Sequence, residues 1–144
     1  RSDVRSYLLT GNTRRGARAK LTHYDLFTFF PDGAFAEDQG VRASIATRAL
    51  ELARRNGPVT EEQLFVIGDT PYDIEAAAAI TARTIAVATG GYSVDELSAH
   101  RPWRVFEQLP PPADFLQLIG LNPAFAPDRA TARQAAKENA GAHG

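Results

Sequence analysis

Two apolar runs decide what kind of fold this chain can adopt. Leu64-Phe65-Val66-Ile67 and Thr84-Ile85-Ala86-Val87-Ala88 are continuous rather than alternating, and too short for buried helices. Runs of that kind read as strands covered on both faces. Gly68-Asp69-Thr70-Pro71 breaks the first, and an alanine-rich stretch from Tyr72 to Ala82 reads as the helix joining it to the second. Strand, helix and strand in that order predict a parallel α/β sheet with helices on both sides, a three-layer Rossmann-like arrangement.

The flanking sequence extends the pattern. Val4 to Thr10 is β-prone and closed by a Gly11-Asn12 turn, so it reads as another buried strand. Residues 13–24 favour helix, with Ala17, Ala19, Leu21 and Tyr24 among arginines and Lys20. An aromatic run from Leu26 to Phe30 ends at the turn Pro31-Asp32-Gly33, and Gly33 to Ala36 reads as a brief strand before an acidic loop through Glu37 and Asp38. Residues 42–55 form a predicted helix with Ile45, Ala46, Ala49, Leu50 and Ala53 on one face, stopped by Asn56-Gly57-Pro58. Thr60 with Glu62 and Gln63 opens a short acidic turn, and Val94 to His100 adds a turn or two of helix. After Pro110-Pro111-Pro112, Ala113 to Leu121 reads as a short amphipathic helix. Residues 1–121 are expected to form one core domain, and 122–144 a polar, alanine- and glycine-rich tail, partly helical or frayed.

Composition excludes several function classes. There is no cysteine, so disulfides, thiolate metal sites and a cysteine nucleophile are ruled out. A formal net charge of -1 gives no electrostatic reason to expect nucleic acid or an anionic membrane as partner. No apolar run approaches the roughly 20 residues of a membrane span, and no signal-peptide pattern opens the chain, which makes the cytoplasm the default location. Arg14, Arg15, Arg18 and Lys20 read as a solvated helix face, and His23, His100 and His143 lack metal-ligand spacing. A chain without methionine that starts at Arg1 reads as a fragment, a processed chain or an engineered start.

Two motifs carry chemistry. The run ending at Ile67 delivers Asp69 to the carboxyl end of a strand, where open α/β sheets hold their ligands. Asp73 follows one helical turn later, on the same side. Paired hard oxygens suit Mg²⁺, which takes one or two carboxylates together with water and substrate phosphate. The same residues also suit a purely structural role, with Asp69 as the N-cap ahead of Pro71 and Asp73 favourable at the helix dipole. The second motif is Thr10-Gly11-Asn12, where a strand-end hydroxyl and successive N–H groups can face an anion. A threonine before a Gly-Asn turn needs no function on its own.

In this order, with Arg42 before a helix and Gly68-Asp69 plus Asp73 after the next strand, the motifs resemble the haloacid-dehalogenase-like phosphatases, and among them the phosphoglycolate-phosphatase-like members. The resemblance spans residues 4–109 and includes Gly33-Ala34-Phe35 and Ile85-Ala86-Val87-Ala88-Thr89-Gly90. It implies a phosphoryl-binding hydroxyl at Thr10, assisted by the N–H of Gly11 or Asn12. It also implies a phosphate-bridging cation at Arg42, with Lys20 the weaker alternative, a direct Mg²⁺ ligand at Asp69, and a second acidic group at Asp73 that orients metal-bound water or the cation. Small phosphorylated metabolites are the implied substrates. On this resemblance Thr10, Arg42, Asp69 and Asp73 converge at the carboxyl edge of the sheet.

Two departures stand out. The family's nucleophile and acid/base belong to an Asp-x-Asp motif on an earlier strand, and this sequence contains no Asp-x-Asp. That strand and the cap following it are missing, so the core is expected to be incomplete and this chain inactive alone. The implied partner is an amino-terminal segment or a second chain, filling a central gap between the strand ending at Thr10 and the one ending at Asp69; a rearranged sheet is the other way to close it. The smaller departure is Ile80-Thr81, where the family places a glycine. A non-catalytic binding or assembly module derived from such a core is the competing reading. A receiver-like or nucleotide-binding domain accounts for the strands but not for the ordered Thr10, Arg42 and Asp69.

Overall fold

The computed structural model describes residues 4–30, 32–36 and 42–121, with the side chain of Arg42 excepted. The expected loop through Glu37 and Asp38 and the expected tail at 122–144 lie outside the described residues. In chain order the elements are β1 (Leu8–Leu9), α1 (Arg14–His23), β2 (Gly33–Ala34), α2 (Arg42–Arg55), β3 (Phe65–Gly68), α3 (Pro71–Ala79), β4 (Arg83–Val87), α4 (Val94–Ser98), β5 (Arg104–Phe106) and α5 (Pro112–Leu118). Single 3₁₀ turns cover Phe27–Phe29 and Glu61–Gln63.

Every strand pairing is parallel, as the strand–helix–strand order requires. β4 is the central strand of the larger sheet, with β3 on one side and β5 on the other. Its burial matches that position: Thr84, Ile85, Ala86 and Val87 are all buried. Leu97 from α4 meets Ala86 of β4 and Ile74 of α3 in the core, with Ala88, Tyr92 and Val105 packed around them. Truncating a fully buried leucine such as Leu97 to alanine costs about 2–5 kcal/mol.

The sheet is not continuous. Among the described residues β1 and β2 form a two-stranded sheet of their own, unjoined by backbone hydrogen bonds to the β3-β4-β5 sheet. Both are held from one helical layer: α2 packs on β1, β2 and α3, while α3 packs on β3 and β4. This explains two differences from the sequence reading. The strand expected over Val4 to Thr10 is only Leu8–Leu9, because its partner among the described residues, β2, is equally short. β3 is an edge strand rather than one covered on both faces, and Ile67 stays 49% exposed.

Smaller differences have local causes. α2 buries Leu52 together with Ile45 and Ala46, because one side of it meets the small sheet and another meets α3. α3 ends at Ala79, three residues before the expected Ala82. The N–H of Thr81 donates to Ala78 O and that of Ala82 to Ala77 O, a hydrogen-bonded stop that turns Thr81 to a φ of 56°. β5, three residues long, has no counterpart in the sequence reading. The arginines of α1 are exposed but not merely solvated. Arg14 lies 4.3 Å over the Phe35 ring and 3.7 Å from Asp32, and Arg18 lies over Phe27.

Candidate active site

Asp69 and Asp73 lie together at the carboxyl end of β3, but they are held differently. Thr70, extended at φ -130° and ψ 157°, is the N-cap of α3, so the alternative of Asp69 as cap does not hold. Asp73 takes the complementary capping role. Its Oδ2 accepts from the Thr70 N–H at 3.1 Å and from the Thr70 hydroxyl at 2.8 Å, and its side chain is buried. Asp69 precedes the cap, is exposed, and its side chain has no hydrogen bond or ion pair among the described residues.

Two glycines bring backbone up against these carboxylates. A Cβ on Gly68 would overlap Cβ, Cγ and Oδ2 of Asp73, so only glycine lets the end of β3 approach the first turn of α3 so closely. A Cβ on Gly90, just beyond β4, would overlap Oδ2 of Asp69 and sit 3.1 Å from its Cγ. The parallel register of β3 with β4, Gly68 opposite Ala86, brings these two strand ends side by side. Sequence reasoning placed Gly90 only at the end of a strand; the signal it offered was a Gly-Gly pair directly after a buried run.

The anion-facing motif lies in the other sheet. Thr10 follows β1, its N–H donates to Ala34 O, and its Oγ1 accepts from the Asn12 N–H at 3.1 Å. The Asn12 N–H is therefore engaged inside the turn. The Thr10 hydroxyl keeps its own hydrogen to donate, and Gly11 is the better of the two implied N–H donors. Arg42 opens α2. Lys20 is exposed in the last turn of α1. Among the described residues no hydrogen bond or ion pair joins Thr10 to Asp69; the structure brings together Asp69, Asp73 and Gly90, and places Thr10, Gly11 and Asn12 after a strand of the other sheet.

The donor set fits a hard cation only in part. Among the described residues no three His, Asp or Glu side chains are grouped as a metal cage. One exposed carboxylate in a hollow that a Cβ would fill, backed by a second carboxylate tied to a cap, suits Mg²⁺ that draws its other ligands from water, phosphate and another segment. A surface hollow of about 330 Å³ lies at the opposite end of β4 against Glu61, Glu62, Thr81 and Arg83, away from these carboxylates. Among the described residues no helix is long and apolar enough to cross a membrane.

Comparison with known proteins agrees with this arrangement. The HAD-hydrolase-like family profile matches residues 43–111. A candidate phosphatase from Clostridium difficile is 24% identical with a TM-score of 0.62, over 72% of this chain and 48% of its own. A haloacid dehalogenase-like hydrolase from Streptococcus pneumoniae is 19% identical with a TM-score of 0.65, over 74% and 50%. A candidate β-phosphoglucomutase from Thermotoga maritima is 21% identical with a TM-score of 0.64, over 82% and 53%. The chain thus spans about half the length of the structures it resembles. No curated relative matches. With its parallel strands and acidic strand end, the chain shares the fold of part of a haloacid-dehalogenase-like core, and the segment from α2 through β5 is the part that resembles the HAD-hydrolase-like family.

Proposed function

We propose that this chain is the carboxyl-terminal part of a magnesium-dependent phosphomonoester hydrolase that works through an aspartyl-phosphate, with the nucleophile supplied by a segment outside these residues. The observation that carries the reading is the unequal treatment of the two aspartates: Asp73 is buried and spent on the cap, while Asp69 is left exposed at a strand end. A purely structural pair needs no free carboxylate there. Mg²⁺, when bound, neutralises charge on the phosphoryl group. Asp69 supplies an oxygen ligand to it, and Asp73 fixes the backbone from which Asp69 projects. The Thr10 hydroxyl and the Gly11 N–H donate to phosphoryl oxygens, and Arg42 bridges phosphate and nucleophile. These groups meet when a strand pairs into the space between β1 and β3. The substrate is a small phosphorylated metabolite, selected by a cap this chain does not carry.

The test is to assay the chain with an aryl phosphate and Mg²⁺, alone and with an Asp-x-Asp-bearing amino-terminal segment added in trans. No turnover alone and restored turnover with the segment are expected, and Asp69→Asn should abolish the restored activity. Robust hydrolysis by the isolated chain would refute the account of the nucleophile. Because the sequence has no Asp-x-Asp, a binding or assembly module is the second reading. It is favoured if no such segment restores turnover.

A further inference from the structure

We propose that Gly90 is a positioning residue for the metal-binding carboxylate: the missing side chain at this position sets where the Asp69 oxygens lie. This rests on the reading of Asp69 as the magnesium ligand and extends it to a residue on a different strand end. A Cβ at position 90 would overlap Oδ2 of Asp69 and crowd its Cγ at 3.1 Å, with the Asp69 Cβ itself at 3.4 Å. The colliding atom is the far end of an exposed side chain, so rotation of the Asp69 carboxylate relieves the clash. The fold survives and the ligand oxygen moves. At Gly68 the outcome reverses. The overlap there includes the Cβ and Cγ of buried Asp73, which no rotation about its side-chain bonds removes, so a substitution disrupts the start of α3. Gly91 is a built-in control, since a Cβ there meets nothing within 4 Å.

The experiment reads metal binding without turnover. Mn²⁺ is titrated into the isotopically labelled chain, and paramagnetic broadening of the amides of Asp69, Thr70 and Gly91 reports occupancy. Thermal melts run in parallel. Gly90→Ala should weaken binding roughly 10-fold, the usual scale for residues that orient a metal ligand, with an unchanged melt. Gly91→Ala should alter neither. In an Asp69→Asn background, Gly90→Ala should have no further effect, because the glycine acts only through that carboxylate. The proposal is overturned if Gly90→Ala binds Mn²⁺ normally, if it unfolds the chain, or if it weakens residual binding equally in the Asp69→Asn background. Failure of the underlying reading looks different: the unsubstituted chain and Asp69→Asn then behave alike.

Discussion

Thr81 offers a test of the backbone physics separate from catalysis. It stands just past the end of α3 at a φ of 56°, in the left-handed region, with the two hydrogen bonds from Thr81 N–H to Ala78 O and from Ala82 N–H to Ala77 O closing the helix. This stop ordinarily uses glycine, because a Cβ in the left-handed conformation crowds the following carbonyl at a cost of roughly 1–2 kcal/mol. A β-branched side chain is the least suited to it. Thr81 is exposed, so its replacement forfeits no packing. Thr81→Gly should recover that strain, less about 0.5–1 kcal/mol for the greater freedom of glycine in the unfolded chain. The net gain is about 0.5–1 kcal/mol, or about 2–4 °C in melting temperature for a domain of this size. Urea unfolding followed through Trp103, the sole tryptophan, packed on Phe65 between Arg83 and Arg104, measures it directly. Thr81→Ala, which keeps the Cβ, should recover much less. If Thr81→Gly proves less stable than the parent chain, the strain argument is wrong.

Two further outcomes follow from how the acidic groups are held. Asp73→Ala should destabilise the chain by about 1–2 kcal/mol through loss of the cap on Thr70, whereas Asp69→Ala should change stability by less than about 0.5 kcal/mol; equal losses in urea unfolding would remove the distinction between the pair. At α4 the Ser93 N–H, and then the Ser93 hydroxyl, hold the Glu96 carboxyl below its ordinary value. The ionised form is therefore favoured in the folded state, so this contribution is present above pH 4.5 and lost as the pH falls below it. Acid titration of stability should accordingly be shallower for Glu96→Gln than for the parent chain, and identical titrations would contradict the assignment.

How far the sequence could be read follows from what each element depends on. The order β3, α3, β4 was legible because burial of β4 on both faces leaves an uninterrupted apolar run and Pro71 starts a helix visibly. The aspartate pair was legible by spacing, yet its division of labour was not. Whether Asp69 or Thr70 caps α3 turns on one residue's φ and ψ, and both types are good caps. The split sheet was hidden for another reason. An apolar run records how buried a strand is meant to be, not which neighbour is present, so β3 read as covered although Ile67 is half exposed. β5 is too short to show a period at all. Gly90 read only as a strand end because its significance lies in Asp69, twenty-one residues earlier.

On the proposed reading, the edge of β3, which has no partner strand among the described residues, ties metal binding to strand capture. Val66 and Gly68 alternate with Ile67, and Gly68 abuts Asp73 of α3, so Ile67 faces away from that helix. A strand pairing along this edge would satisfy unpaired backbone groups and cover an isoleucine now 49% exposed. Covering half of such a side chain contributes about 1 kcal/mol. The carboxyl end of that strand would also lie beside Asp69, where its acidic residues complete the cation's ligands. Like charges brought that close repel unless a cation lies between them, so without Mg²⁺ the incoming strand should bind poorly. Linkage then requires that Mg²⁺ tighten capture of the segment by the same factor as the segment tightens Mg²⁺. Calorimetric titration of an Asp-x-Asp-bearing segment into the chain, with and without Mg²⁺, measures that factor. Asp69→Asn should shrink it toward one while leaving metal-free capture unchanged or improved, since one of the repelling charges is gone. Ile67→Ser should weaken capture under both conditions and leave the factor intact. Capture indifferent to Mg²⁺ would separate the two events and favour a docking module over an enzyme.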